Sequence, residues 1–299
     1  MTTTTEYVLG TGHDESARLG LQHRLWSWVT HRLWERAGVR PGMSVLDAGC
    51  GPGHTAMELA QIVGPQGRVV GLDESAAFLK ELGEEAKARH FTHVARVLGD
   101  VQNLEHALPG REGTFDLAYL RWVLCFVSRP QDVISGLAKV IKPGGRVVIQ
   151  DYFNYEYSIK IAPREAVFER AIDAVATSWR SRGGDPDIVA RLPGMLREAG
   201  FEVRWLDSVQ RVARSPAAFE TERDQNGVCV GASGGVGGGD PMWHWPDTFF
   251  RTFLPKLVEP GFLTKQECEA ALGAWDRAAE NPSAFVLLPT VFELIAVRL

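Results

Sequence analysis

The stretch Val45-Leu46-Asp47-Ala48-Gly49-Cys50-Gly51-Pro52-Gly53 decides how this chain is read. Apolar residues on a strand pattern run into an acid, glycine then recurs at every second position, and a helical pattern begins at residue 54. Glycine accepts positive φ and lets a ligand come close to the main chain and its N–H groups. A strand that feeds a glycine-rich turn into a helix N-terminus is the nucleotide-binding corner of a doubly wound α/β sheet. The dinucleotide form of that corner, G-x-G-x-x-G/A, ends on a small residue. Counted from Gly49 that place holds His54, so the pattern is instead D-x-G-x-G-x-G, with Asp47 closing the strand.

Strand and helix patterns alternate on either side of this corner. Upstream, Leu25, Trp26, Val29, Leu33, Trp34 and Ala37 recur near a helical period, predicting a helix over 11–37 that Gly38 and Pro41-Gly42 stop. Downstream, a helix is predicted near 54–63, and a buried strand at 68–73 ends on Asp73. Asp73 stands 24 residues beyond Gly49, near the distance at which a βαβ unit brings an acid to ribose hydroxyls. A carboxylate can accept from both hydroxyls at once. Ser75 suits the N-cap of a helix running to about residue 89. A third strand over 93–98 leads into Gly99-Asp100-Val101, and a fourth covers 113–120. A helix over 130–141 and the turn Lys142-Pro143-Gly144-Gly145 precede a fifth strand at 146–150.

Jointly these motifs resemble the class I S-adenosylmethionine-dependent methyltransferases of the small-molecule type, and the resemblance runs over residues 7–152. It implies a Rossmann-like α/β fold, a doubly wound seven-stranded sheet with an antiparallel edge strand and a mainly helical cap. It also implies S-adenosyl-L-methionine as cofactor. Asp47, Gly49, Cys50 and Gly51 then lie beside its methionine half, with Asp47 on the ammonium group. Asp73 and Glu74 fall at the ribose, Asp100 and Val101 at the adenine, and Arg121 follows the fourth strand. The N-terminal pattern Tyr7-x-Leu9-Gly10 and Glu15-x-x-Arg18-Leu19-x-x-Gln22 resembles the segment that closes over the cofactor in such enzymes, which makes Tyr7, Arg18 and Gln22 contacts to it. Nucleic-acid and protein amide N-methyltransferases often carry N/D-P-P-Y/F after the fourth strand. Leu120-Arg121-Trp122-Val123 is unlike that, which argues against DNA adenine methylation.

Beyond residue 152 the pattern changes. Helices are predicted over 163–181 and 186–199, strands over 201–206 and 291–298, and the last two strands are separated by an unusually long insertion. The expected organisation is an N-terminal helical segment (1–40), a core of 41–211 with 289–299 that includes the helices of 155–199, and an inserted cap or lid (212–288). The insertion holds a glycine-rich tract over 226–239, the aromatic run Met242-Trp243-His244-Trp245-Pro246, Phe249, Phe250 and Phe253, and a predicted helix over 264–279. The tract reads either as a surface loop or as the hinge of a lid. The aromatic run reads either as a wall over substrate or as the insertion's own core.

Methyl transfer from a sulfonium is an in-line displacement, and a general base is needed only where the acceptor must lose a proton. Asp151, Tyr152 and His244 are the candidates for that part. No cluster of metal-ligand type is visible, so no metal is expected. A net charge of −5 over 299 residues gives no basic footprint for nucleic acid. Cys50, Cys125, Cys229 and Cys268 form no C-x-x-C pair, the first residues have no signal-peptide pattern, and no apolar run is long enough to span a bilayer. The expectation is a cytoplasmic enzyme acting on a small molecule without membrane or nucleic-acid partner, its oligomeric state left open. Two other readings share parts of the pattern: a non-catalytic regulator that binds the same cofactor, and an NAD-dependent oxidoreductase, which His54 and Asp47 disfavour.

Overall fold

The computed structural model describes residues 13–220 and 240–299. Tyr7, Cys229 and the glycine-rich tract lie outside them. In chain order the first elements are α1 (His13–Arg36), β1 (Ser44–Ala48), α2 (His54–Val63), β2 (Arg68–Asp73), α3 (Ala76–Ala88) and β3 (Val94–Leu98). Then come α4 (Leu104–Ala107), β4 (Phe115–Arg121), α5 (Pro130–Val140), β5 (Ile141–Tyr152), α6 (Tyr155–Ser158) and β6 (Lys160–Ala162). The later elements are α7 (Ala166–Arg180), α8 (Leu192–Glu198), β7 (Phe201–Val209), β8 (Val212–Arg214) and α9 (Ala217–Glu220). Last are α10 (His244–Phe253), α11 (Lys265–Glu280), β9 (Phe285–Leu287) and β10 (Val291–Arg298).

These elements form two compact units: Met1–Asp151 with Ile188–Ser208 and Phe292–Leu299, and Tyr152–Asp187 with Val209–Val291. The first is built on a seven-stranded sheet of order β3-β2-β1-β4-β5-β10-β7, whose pairings from β3 through β5 are parallel. The sheet is mixed, with its antiparallel member at the β10/β7 edge. Strand order reverses between β1 and β4, and that switch point is where an open α/β sheet offers its ligand crevice. Val45, Leu46, Leu72, Leu117, Leu120 and Val148 are fully buried, as expected of parallel strands covered on both faces. Ser75 caps α3 by accepting the Phe78 N–H.

Two local expectations are corrected. The fifth strand begins at Ile141, not 146. Phe115 pairs with Ile141 and Leu117 with Arg146, so Pro143-Gly144-Gly145 is an irregularity inside the strand. Gly145 is needed there because a Cβ would stand 2.6 Å from Ile141 Cγ2 and 3.0 Å from the Asp116 carbonyl. The helix expected over 186–199 splits into a short 3₁₀ turn (Ile188–Ala190) and α8, where Pro193 sits in the first turn and cannot continue an earlier ladder.

The second unit takes in α7 as well as the insertion. Its core is aromatic: Trp243 stacks on Trp275 at 4.3 Å, while Phe168 and Phe250 meet edge to face at 5.2 Å. Trp243, Trp245, Phe250 and Phe253 are all buried, so the aromatic run of the insertion serves as this unit's core. α7, placed with the core by the sequence reading, packs on α11 here because Phe168 stacks on Trp275. Thr264 caps α11 in a reciprocal capping box with Glu267. A three-stranded antiparallel sheet, β6-β9-β8, completes the unit, and its three-residue strands are too short to show a period in sequence.

Candidate active site

At the carboxyl end of β1 the chain turns on Gly49, Gly51 and Gly53, whose φ values are 76°, 54° and 90°. Two of these glycines are enclosed. A Cβ on Gly49 would stand 2.5 Å from Val123 Cγ2, and one on Gly53 2.4 Å from Leu82 Cδ1. Gly51 faces open space, its nearest neighbour being Leu19 Cδ1 at 3.9 Å. The turn's N–H groups, however, point inward. Those of Gly49 and Cys50 donate to the Leu72 carbonyl, that of Gly51 to Asp73 Oδ2 at 2.8 Å, and that of Gly53 to the Cys50 carbonyl. The glycines therefore give close approach and left-handed backbone, and no cradle of free N–H groups for a phosphate. The Cys50 side chain is buried, and burial together with Asp47 and Asp73 pushes its thiol well up.

Carboxylates dominate the rim. Asp47 is buried at the end of β1 and accepts from Thr55 Oγ1 at 2.6 Å. Burial raises its carboxyl to about 6, against the lowering effects of Thr55 and Arg121. Asp73, ending β2, accepts the Gly51 and Ser75 N–H groups at 2.8 and 2.9 Å and is also pushed up by burial. Glu74 beside it is exposed as a residue, yet partial desolvation of its carboxyl, followed by the charges of Asp73 and Asp100, raises it too. Asp100 caps the 3₁₀ turn after β3, accepting the Gln102 N–H at 2.8 Å, with Val101 buried next to it. The structure thus brings Asp47, Gly49, Cys50, Gly51, Asp73, Glu74, Asp100 and Val101 to one end of neighbouring strands β1, β2 and β3.

Replacing Asp73 with Asn turns one acceptor oxygen into a donor that faces a backbone N–H. Asp73→Asn therefore loses one acceptor for the Gly51 or Ser75 N–H. Thermal melts should show a stability loss of about 1–3 kcal/mol, the cost of an unsatisfied buried donor.

Helix α1 lends a polar stripe to the same unit. Glu15 holds Arg18 through two contacts of 2.6 and 2.8 Å, and Arg18 donates to Gln22 Oε1 at 3.1 Å. All three side chains are buried. Further along, Arg121 at the end of β4 donates to His23 Nδ1 at 3.2 Å and reaches Thr30 Oγ1 at 3.3 Å. Thr30 and the Tyr119 hydroxyl both donate to Gln150 Oε1, and Gln150 donates to Glu293. Arg121 is therefore engaged with α1 while its charge acts on Asp47. His54, the residue that broke the dinucleotide pattern, opens α2 and stacks on His23 at 5.4 Å. Burial, then His23, lowers its pKa to about 4, so its imidazole is neutral at neutral pH.

The three candidate bases have different surroundings. Asp151 is fully buried and one of its oxygens accepts the N–H groups of Leu124 and Cys125 at 2.9 and 3.2 Å. Tyr152 packs within the second unit against Tyr155 and Trp179. His244 is exposed at the start of α10. Thr55 and Val123 escaped the sequence reading. Thr55 had a signal, since a buried acid such as Asp47 requires a donor and the first helical turn returns one to it. Val123 had none. Among the described residues no group of three or more His, Cys, Asp or Glu is placed to hold a metal, and no helix is long and apolar enough to cross a membrane.

S-adenosylmethionine fits these residues. Its ammonium, ribose hydroxyls and adenine amino group are cations or donors, and the rim presents carboxylates at successive strand ends. A glycine corner closed on Asp47 in a Rossmann-like sheet, with acids ending β2 and following β3, defines the class I methyltransferase architecture. A family model described as a methyltransferase domain matches residues 40–197. The ubiquinone/menaquinone biosynthesis C-methyltransferase UbiE of Shewanella sediminis is 31% identical over 216 residues, covering 66% of this chain and 83% of that protein. The chain belongs to the class I S-adenosylmethionine-dependent methyltransferases and is an enzyme of that kind. Solved structures agree in fold. Geranyl diphosphate methyltransferase in complex with S-adenosylmethionine superposes with a TM-score of 0.54 at 16% identity, over 98% of this chain and 94% of that one. The cyclase SpnF does so with 0.53 at 17%, over 90% and 80%.

Proposed function

We propose that the protein transfers a methyl group from S-adenosylmethionine to a small-molecule acceptor by in-line displacement. The observation that carries this is the acidic rim of Asp47, Asp73, Glu74 and Asp100 around a glycine turn whose N–H groups are spent internally. Such a rim suits a cationic, donor-rich ligand and repels the pyrophosphate of a dinucleotide. Similarity to a ubiquinone/menaquinone biosynthesis C-methyltransferase and to a geranyl diphosphate methyltransferase supports a small acceptor.

When bound, the cofactor supplies an activated methyl on a sulfonium. Asp47 holds the ammonium end, Asp73 the ribose hydroxyls and Asp100 the adenine amino group, while Gly51 leaves room for close approach. Arg18 and Gln22 on α1, and Arg121 on β4, belong to the same proposed set. Asp151 is not assigned the part of a base, because its carboxylate is fully buried and its bonds go to the turn after β4.

Titration calorimetry with S-adenosylmethionine, S-adenosylhomocysteine and NAD, followed by incubation of the protein and methyl-labelled cofactor with fractionated cell extract, tests this. Binding of the first two ligands only, with label entering the small-molecule fraction, is expected. Label in nucleic acid or protein, or tight binding of NAD, would sink the proposal. Cofactor binding without transfer to any fraction would favour the regulator.

A further inference from the structure

The turn after β4 is the most constrained backbone near the glycine corner. Trp122 adopts φ 53°, a left-handed conformation that a bulky side chain rarely takes. Such a conformation persists only where its surroundings over-determine it. Here the last residues of β5 do so. The Gln150 carbonyl accepts the Trp122 N–H at 2.8 Å, and Asp151 Oδ2 accepts both the Leu124 and Cys125 N–H groups. Trp26 on α1 meets the Trp122 ring edge to face at 5.7 Å, and the Arg121 guanidinium lies 5.1 Å from the same ring. The held turn presses Val123 onto Gly49, so closely that a Cβ there would overlap its methyl. A fully buried carboxylate is costly unless hydrogen-bonded, and here its bonds go to the turn that touches the cofactor corner.

We propose that Asp151 is a positioning residue: it pins the Trp122–Cys125 turn so that Val123 and Trp122 form a fixed wall beside the methionine half of the cofactor. It acts through the turn and touches no reacting atom. This rests on the cofactor reading above, which places the methionine half at Gly49.

The test compares two ligands on the full chain by titration calorimetry: S-adenosylhomocysteine, which carries the amino-acid half, and 5′-methylthioadenosine, which lacks it. Asp151→Leu removes the acceptor for both N–H groups. It is expected to weaken S-adenosylhomocysteine tenfold or more and to leave 5′-methylthioadenosine within twofold. Asp151→Asn can keep an acceptor oxygen in place and is expected to stay within threefold of wild type for both. Should Asp151→Leu fail to fold, Val123→Ala removes the wall while leaving the clamp. It should weaken S-adenosylhomocysteine about threefold to fivefold with 5′-methylthioadenosine unchanged. Equal weakening of the two ligands, or of neither, overturns the proposal. Wild-type protein that binds neither ligand overturns the cofactor reading first, which keeps the two failures distinct.

Discussion

Gly49→Ala is expected to abolish measurable binding of S-adenosylhomocysteine, a loss of at least about 100-fold, or ~2.7 kcal/mol. Two penalties act together. At φ 76° a Cβ meets its own carbonyl, which costs about 1–2 kcal/mol. The added methyl also stands 2.5 Å from Val123 Cγ2, and overpacking of this kind costs about 1–3 kcal/mol. Relief requires either shifting Val123, and with it the turn after β4, or rotating the glycine turn, which moves Asp47 and the Asp73 contact to Gly51. Each route displaces groups that the proposed function places at the cofactor. Urea unfolding should show the protein destabilised by about 2–5 kcal/mol, the sum of these two ranges. Gly42→Ala is the control, because Gly42 has φ 85° with nothing within 4 Å of a Cβ. It should carry only the backbone penalty of about 1–2 kcal/mol and bind normally. Normal binding by Gly49→Ala would show that this corner does not meet the cofactor.

Cofactor affinity should fall below pH 6, because burial holds the Asp47 carboxyl at about 6 in the free protein. An ammonium group beside Asp47 favours the ionised form and lowers that value, so binding expels a proton wherever the free carboxyl is protonated. Affinity is then flat above pH 7 and about tenfold weaker at pH 5, one unit below the free value. At pH 5.5 the measured binding enthalpy should change with the ionisation enthalpy of the buffer, and at pH 8 it should not. Asp47→Asn is expected to weaken binding at pH 7.5 about tenfold to 100-fold, the loss of one buried charge-assisted contact, and to flatten the pH profile. The stability of the free protein runs the opposite way. A folded value above the unfolded 3.8 means that the free protein gains stability from this group as pH falls from about 6 towards 3.8, and loses it as pH rises through 6. Asp73 and Glu74 are shifted in the same direction, so the difference between wild type and Asp47→Asn isolates the Asp47 contribution. An unchanged pH profile in the variant would assign the dependence to those neighbours.

Much of the first unit was legible because its signals are local. The acid at a strand end, the glycines two apart and the acid some twenty residues on are spaced by the geometry of one βαβ unit. The Ser75 cap was read from the sequence in the same way, while the Thr264–Glu267 capping box, though as local, was not. The aromatic run of 242–253 was not legible: wall and core carry the same composition, and the packing of Trp243 and Phe250 against Trp275, and of Phe250 against Phe168, depends on partners far along the chain. β6, β8 and β9 were missed because three residues make no period. Asp151 looked like a candidate base because it follows a strand; its two N–H partners lie 27 and 26 residues earlier in the chain.

By itself, then, the sequence determined the architecture of the first unit and the acids at the ends of β1, β2 and β3, and through its family resemblance it suggested the cofactor proposed for them. Periodicity, turn chemistry and spacing within one unit act over short stretches and leave a trace in the order of residues. Tertiary structure alone decided where the turn's N–H groups go, that Val123 closes on Gly49, that Arg121 is tied to His23 and Thr30, and that burial lifts Asp47 to about 6. Each of these depends on residues brought together from distant parts of the chain, or on the exclusion of water once they meet, and neither is written in any local pattern.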